Sequence, residues 1–236
     1  MARKRQLILC PGLLCDDALW AHQVASLGDV AKIVVGEFQT HDSIRSMAES
    51  LLASAPPRFA IAGLSLGGYV CQEVMRLAPD RVIGLALLNT SARPDTKVQA
   101  SRRRSLVERV EKGDFEDVMA MLWPLLVHPE REEDDSLRDR YLEMGRRIGG
   151  DIFVRHQIAI LNRANGVRDL ARIKCPTLVL CGREDQVTPL ELHLDMAAAI
   201  PSADLAVLGR CGHLSTLERP EAVTGILRTF LTERIP

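Results

Sequence analysis

One short segment constrains the fold of this chain more than any other. An apolar run of strand length, residues 59–64, leads directly into an amphipathic run of helix length, and the junction reads G-L-S-L-G at residues 63–67. A strand that turns at once into a helix forces the central residue, Ser65, into a strained backbone conformation and projects its hydroxyl clear of the sheet. A Cβ atom at Gly63 or Gly67 would collide with the adjoining strand or helix, so the spacing predicts a strand–turn–helix unit.

This junction has a chemical interpretation and a purely structural one. The amide of Leu66 opens the predicted helix, so its N–H has no intrahelical acceptor and can face negative charge. The alternative is a glycine-rich turn that carries a solvated serine. The rest of the chain must distinguish the two.

Length and charge limit the classes of protein to consider. A chain of 236 residues suits one α/β domain, here predicted over residues 1–236, with an insertion. The formal net charge of −1 shows no excess of positive charge that would favour binding to nucleic acid or an anionic membrane. No apolar run approaches the ~18 residues of a membrane span. We therefore expect neither nucleic acid nor a membrane as a partner.

The start of the chain and its cysteines bear on the compartment. Basic residues before residues 6–10 resemble a signal peptide, but the apolar stretch is short and Pro11-Gly12 ends it, which favours a first strand. None of the six cysteines forms a C-x-x-C pair or a zinc spacing. We expect a reduced, cytoplasmic protein without a metal or organic cofactor.

Alternating apolar strands and amphipathic helices predict a mostly parallel, doubly wound α/β sheet covered on both faces. The predicted strands are residues 6–10, 31–35, 59–64, 81–89, 177–181 and 203–208. Besides the helix after Ser65, which Pro79 ends, the predicted helices are residues 19–27, 43–53, 188–199 and 219–233.

The pattern changes between residues 91 and 170, which are rich in charged residues and show no strand. Apolar residues recur there at helical spacing, and Pro124 and Gly149-Gly150 interrupt the pattern. We expect an inserted segment of about four helices that forms a lid. The acidic run at residues 130–135 is interpreted as a solvated loop or helix start.

Serine is a poor nucleophile at neutral pH and needs a base, an acid that orients the base, and donors for an oxyanion. Asp185 and His213 each follow a predicted strand of the sheet, as Ser65 does, so the three can meet at the carboxyl edge. Each has a plainer interpretation, since aspartates after strands often cap helices and loop histidines are often solvated. Glu184 is an alternative acid.

Four stretches together resemble the α/β-hydrolase superfamily, in its small serine hydrolase branch with a short helical lid. They are L-C-P-G-L-L-C-D at residues 9–16, G-L-S-L-G-G at 63–68, P-T-L-V-L-C-G-R-E-D at 176–185 and G-H-L-S-T-L-E-R-P at 212–220. The order Ser65, Asp185, His213 is also that of the superfamily. Members usually carry His-Gly where this chain has Pro11-Gly12.

The resemblance implies a carboxylesterase-like serine hydrolase that cleaves a small ester or thioester. It implies that Ser65, Asp185 and His213 form a catalytic triad and that the amides of Leu13 and Leu66 form the oxyanion hole. The superfamily's dehalogenases and epoxide hydrolases use aspartate as nucleophile, so Ser65 argues against both. Carbon–carbon bond hydrolysis of a diketone-like substrate, proline-directed aminopeptidase or perhydrolase activity, and a non-catalytic receptor are the alternatives.

Apolar residues near the predicted site are candidates for an acyl pocket. They are Leu14 and, in the insertion, Met119, Trp123, Leu122, Leu125 and Leu126. The alternative is that the insertion's residues only pack the lid onto the sheet. The arginines at 102–104 and 146–147 could bind a substrate carboxylate or phosphate, or form a solvated helix face.

Overall fold

A computed structural model describes residues 4–235; Met1–Arg3 of the basic start and Pro236 lie outside the described residues. Six strands form one parallel sheet in the order β2-β1-β3-β4-β5-β6. The strands are β1 (Arg5–Cys10), β2 (Ala31–Val35), β3 (Phe59–Leu64), β4 (Val82–Leu88), β5 (Thr177–Gly182) and β6 (Ala203–Leu208). The predicted parallel α/β sheet is therefore confirmed.

Helices connect the strands on both sides of the sheet. Within residues 4–235 they are α1 (Ala21–Leu27), α2 (Ile44–Ser54), α3 (Leu66–Leu77), α4 (Lys97–Glu111), α5 (Phe115–Leu126), α6 (Asp135–Ile148), α7 (Gly150–Leu161), α8 (Leu190–Ala199), α9 (Ser215–Glu218) and α10 (Pro220–Thr229). Four of them, α4 to α7, lie between β4 and β5, in the stretch where the sequence lacks strand patterns. A wider helical turn follows α10 over Phe230–Arg234.

Several helix boundaries differ from the sequence prediction: α1 begins at Ala21 rather than at residue 19, and α10 ends at Thr229 rather than at residue 233. Pro124 does not end its helix, because α5 runs through it to Leu126. A proline near the last turn removes one helical hydrogen bond, and the helix ends there in any case. Helix α8 begins at Leu190 rather than at Thr188, because Pro189 has a non-helical backbone with φ −54° and ψ 156°.

Successive residues along the strands face opposite sides of the sheet, so the hydrophobic core has two layers, one on each side. Leu7 and Leu9 of β1 face a cluster that contains α1, α10 and most of the buried apolar side chains of α4 to α7. Ile8 and Cys10 face the opposite cluster, built with α2, α3 and α8. Successive strand residues point to opposite faces, so a strand buried on both sides needs an unbroken apolar run.

Parallel register brings the carboxyl ends of the central strands to one edge of the sheet. Cys10 is aligned with Gly63, Leu64 with Leu88, and Leu88 with Leu180. The residues that follow β1, β3, β4, β5 and β6 therefore emerge side by side. This edge carries the candidate site.

Candidate active site

Ser65 lies at the turn between β3 and α3 in a strained backbone conformation, with φ 55° and ψ −114°. The close approach that causes this strain requires glycine on both sides. A Cβ atom built on Gly63 would lie 2.2 Å from the Gly67 carbonyl oxygen, and one on Gly67 would lie 2.1 Å from the Cys10 carbonyl oxygen. The Thr90 hydroxyl, in the loop after β4, donates to the Ser65 carbonyl at 2.9 Å and so holds the turn in place.

The loop after β1 packs against this turn. A Cβ atom on Gly12 would lie 3.5 Å from the Cβ atom of Ser65, which shows how closely the two backbones approach. Within residues 4–235 the amides of Leu13 and Leu66 donate no backbone hydrogen bond. Leu13 borders the cavity at Ser65, and Leu66 follows the serine directly. Two backbone donors are thus available beside the serine.

Asp185 is buried and held by several donors. Its carboxylate accepts the amides of Val187 and Thr188, each at 2.9 Å, and the Thr188 hydroxyl at 2.7 Å. Asn89 Nδ2 donates to Oδ2 at 2.9 Å. Burial alone would raise the pKa of Asp185, but the charge of His213 and these hydrogen bonds outweigh it and lower the pKa to about 2.

His213 contacts Asp185 through one ring nitrogen. Nδ1 lies 3.0 Å and 2.9 Å from the two carboxylate oxygens, and both side chains are almost fully buried. This contact leaves Nε2 for another partner. His213 and Ser65 border the same cavity, and within the described residues no hydrogen bond joins the two side chains. Such contacts are often long in structures without a bound substrate.

Glu184, the alternative acid, is directed elsewhere. One of its carboxylate oxygens accepts the Cys211 amide at 3.0 Å, while the neighbouring Asp185 contacts His213. The chain therefore uses the two adjacent carboxylates differently. Glu184 anchors the backbone of the loop that contains His213, residues 209–214, which we call the histidine loop. Asp185 binds the imidazole of His213.

Three residues that sequence reasoning missed position this pair. Asn89 has a positive φ of 45° and, besides Asp185, contacts the Gly212 carbonyl and the Ser215 hydroxyl. Thr188 supplies two of the donors to Asp185. Glu218 accepts the Gly212 amide at 2.8 Å and the His128 amide at 2.7 Å, and burial raises its pKa although these donors act against that rise. The position of Asn89 at the end of a buried strand was the one available signal.

A cavity of about 180 Å³ lies over Ser65 and His213. This is smaller than the ~300–1,000 Å³ typical of pockets for drug-sized ligands. Its apolar lining comes from the loop after β1, the end of β3, the α4–α7 segment and the loops after β5 and β6. These residues include Leu13, Leu14, Leu64, Leu106, Leu122, Leu125, Leu126, Ile160, Val187 and Leu214. Larger cavities lie away from the Ser65 and His213 side chains.

Leu14 borders this cavity, but the structure does not place Met119 and Trp123 there. Met119 is fully buried, and Trp123 stacks on Tyr141 of α6 and donates its indole N–H to the Glu132 carbonyl at 2.8 Å. These two side chains join α5 to α6. The cavity-lining side of α5 instead carries Leu122, Leu125 and Leu126.

The candidate ligand-binding arginines differ in whether they border the cavity or form ion pairs at the surface. Arg102 and Arg103 border the cavity, whereas Arg104 does not. Arg146 pairs with Glu116 and Arg147 with Asp16, so both have carboxylate partners at the surface.

Three further structural observations concern the cysteine in the cavity, metal binding and membrane spanning. Burial, with the charge of Asp16, raises the pKa of the cavity residue Cys15 to about 12, so its sulfur remains a thiol at neutral pH. In the described part of the chain, no cluster of three or more His, Cys, Asp or Glu side chains could hold a metal ion. From residue 4 to residue 235, none of the helices combines the length and apolar character that spanning a bilayer requires.

Two hydrolases resemble this chain in sequence over most of its length. A putative carbamate hydrolase of Azorhizobium caulinodans is 25% identical over 243 residues, which cover 96% of this chain and 91% of that protein. A 2-hydroxy-6-oxononadienedioate/2-hydroxy-6-oxononatrienedioate hydrolase of Burkholderia vietnamiensis is 26% identical, with 74% of this chain and 62% of that protein covered.

The solved structures give the same result for the fold. An esterase of Thermogutta terrifontis superposes with a TM-score of 0.88 at 25% identity, and the match covers 98% of this chain and 91% of that chain. The sequence model of the alpha/beta hydrolase family matches residues 7–226. With a parallel sheet, a serine at the strand–helix turn and a match over nearly its whole length, this chain belongs to the α/β hydrolase family.

Proposed function

We propose that this protein is a serine hydrolase that cleaves a small carboxylic ester or thioester through an acyl-enzyme on Ser65. The observation that carries the proposal is the shared cavity of Ser65 and His213, with Asp185 hydrogen-bonded to the far nitrogen of the imidazole. The similarity to a protein described as an esterase supports ester chemistry.

The mechanism assigns one role to each group. Ser65 Oγ attacks the acyl carbon while His213 Nε2 takes its proton, and Asp185 fixes the tautomer and stabilises the imidazolium. The amides of Leu13 and Leu66 bind the oxyanion of the tetrahedral intermediate. His213 then protonates the leaving alcohol or thiol, and water attacks the acyl-enzyme to release the acid and free Ser65.

Replacement of the serine tests this proposal. Ser65→Ala removes the nucleophile and is expected to lower kcat on p-nitrophenyl esters and thioesters of short acids by about a thousandfold or more, with the fold intact. Steady-state kinetics and circular dichroism measure both properties. Ser105→Ala, at an exposed serine of α4, is the matched control. Near-normal hydrolysis by Ser65→Ala would contradict the proposal.

A second candidate is carbon–carbon bond hydrolysis of a diketone-like substrate. The similarity to the Burkholderia vietnamiensis hydrolase, named for an oxo-dienedioate, favours it. A chromogenic meta-cleavage dienoate distinguishes the two reactions when it is compared with simple esters. Faster turnover of the dienoate, dependent on Ser65, would favour this candidate over ester hydrolysis.

A further inference from the structure

One side of α4 contributes charged and amide side chains to the cavity wall. Gln99, Arg102, Arg103 and Leu106 of this helix all border the cavity, and their spacing of three, four and seven residues places them on a single helical face. Gln157 of α7 lies beside them and is only 1% exposed. Two arginines and two glutamines therefore border the same cavity as Ser65.

The acceptor atoms of both amides already have partners. Gln99 Oε1 accepts the Thr96 amide at 2.9 Å, and Gln157 Oε1 accepts Arg103 Nη1 at 2.8 Å. These contacts orient both amides. Within residues 4–235 neither Nε2 group donates a hydrogen bond, so both remain available as donors to a ligand. What this wall offers to a ligand is thus a set of N–H donors.

The wall also carries uncompensated positive charge. Asp95 accepts Arg103 Nε at 2.6 Å and Arg163 Nη2 at 2.8 Å, so one carboxylate serves two guanidinium groups. Burial acts to raise the pKa of Asp95, but the two arginines lower it overall, so it stays ionised. Arg102 forms no ion pair with any described residue, and the cavity lining contains no aspartate or glutamate.

We propose that the substrate is a monoester or monothioester of a short dicarboxylic acid, and that Arg102 and Arg103 bind its free carboxylate. This inference rests on the proposed function and adds the substrate class. A carboxylate accepts hydrogen bonds only, and its two oxygens match the fork of a guanidinium group. The cavity volume of about 180 Å³ limits the acyl chain to a short one.

A matched pair of esters tests the inference. The p-nitrophenyl monoester of glutaric acid is compared with the same ester whose free carboxylate is replaced by a carboxamide, which keeps the shape and removes the charge. The measured quantity is the ratio of kcat/KM for the acid to kcat/KM for the amide. We expect wild type to prefer the acid by about tenfold or more, because hydrogen bonds to charged groups are the stronger ones.

Three variants on α4 locate the effect. Arg102→Gln is expected to lower the ratio by about tenfold or more, chiefly through a higher KM for the acid. Arg104→Gln removes the same charge from a residue outside the cavity and is expected to keep the wild-type ratio. Arg103→Lys keeps the charge but loses the fork, and is expected to lower the ratio without unfolding the protein.

Three outcomes would overturn the inference. Wild type could hydrolyse both esters through Ser65 with equal kcat/KM, which would leave the proposed function in place. Arg102→Gln could retain the wild-type ratio, or Arg104→Gln could lower it as much as Arg102→Gln does. Failure to hydrolyse either ester would instead count against the proposed function, and the inference would fall with it.

Discussion

Asp185 shows how a buried charge is kept ionised by its surroundings. Its two oxygens contact His213, Asn89, Thr188 and Val187, and together these contacts more than offset the cost of burial. Asparagine would keep the shape of this side chain but would present an NH₂ group in place of one acceptor oxygen. In the proposed mechanism, the carboxylate determines which nitrogen of His213 carries the proton.

Asp185→Asn is expected to lower kcat by about 10³- to 10⁴-fold, because an amide favours the wrong imidazole tautomer. Ester hydrolysis at pH 7 measures this, with the exposed Asp139→Asn as control. Activity of Asp185→Asn within a few fold of wild type would contradict the assigned role.

The lowered pKa of Asp185 also predicts a pH dependence of stability. The pKa falls from 3.8 to about 2 on folding, so between these values the unfolded chain binds more protons. This contribution to stability is present above about pH 4 and is lost as the pH falls towards 2. Urea unfolding at pH 5 and pH 3 should show a smaller pH-dependent loss in Asp185→Asn than in wild type. An equal loss in both would refute the linkage.

At the scale of elements, the turn between β3 and α3 depends on backbone contact. Gly67 lies against the carbonyl of Cys10 in β1, and Gly63 lies against Gly67 itself. These contacts join β1, β3 and α3 into one unit and bring the Gly12 loop to Ser65. Side chains at either glycine would separate them.

Gly67→Ala is expected to reduce the free energy of unfolding by several kcal/mol or to prevent folding, because the new Cβ would meet backbone at 2.1 Å. Gly225→Ala in α10, where nothing lies within 4 Å, is expected to stabilise the protein by about 0.5–1 kcal/mol. Denaturant unfolding compares the two. Similar stabilities for both variants would contradict this account of the turn.

The elements also show which features the sequence could predict. Strands such as β3 were found because a parallel strand buried on both faces needs an apolar run, and Ser65 was found because its turn requires glycines. The prediction that Met119 and Trp123 line the cavity is wrong. Helix α5 is apolar over a broad arc, and sequence spacing does not decide which part of that arc faces the cavity. Asn89 was missed because its role arises only from contacts to Asp185 and the Gly212 carbonyl, 96 and 123 residues away in sequence.

In the whole molecule, the insertion and the histidine loop hold each other in place. The Leu126 carbonyl at the end of α5 accepts the amides of His213 and Leu214 at 3.0 Å and 2.9 Å. The Glu218 carboxylate adds a second connection, because it accepts the amides of both Gly212 and His128. The cavity wall and the imidazole are therefore parts of one connected arrangement.

Glu218→Gln tests this connection. A glutamine has one oxygen where two backbone N–H groups need acceptors, so one N–H would face an NH₂ group, at a cost of about 1–3 kcal/mol. We expect a lower free energy of unfolding and a lower kcat, measured by urea unfolding and ester hydrolysis. Glu221→Gln, at an exposed position of α10, is the control. Wild-type behaviour of Glu218→Gln would show that the two parts are not coupled.

The most direct test of the covalent mechanism is intact-protein and peptide mass spectrometry after brief mixing with a short-chain p-nitrophenyl ester and acid quenching. We predict one added acyl group, located on the peptide that contains Ser65 and missing in Ser65→Ala. Rapid hydrolysis with no adduct on that peptide, or an adduct of equal yield in Ser65→Ala, would contradict an acyl-enzyme on Ser65.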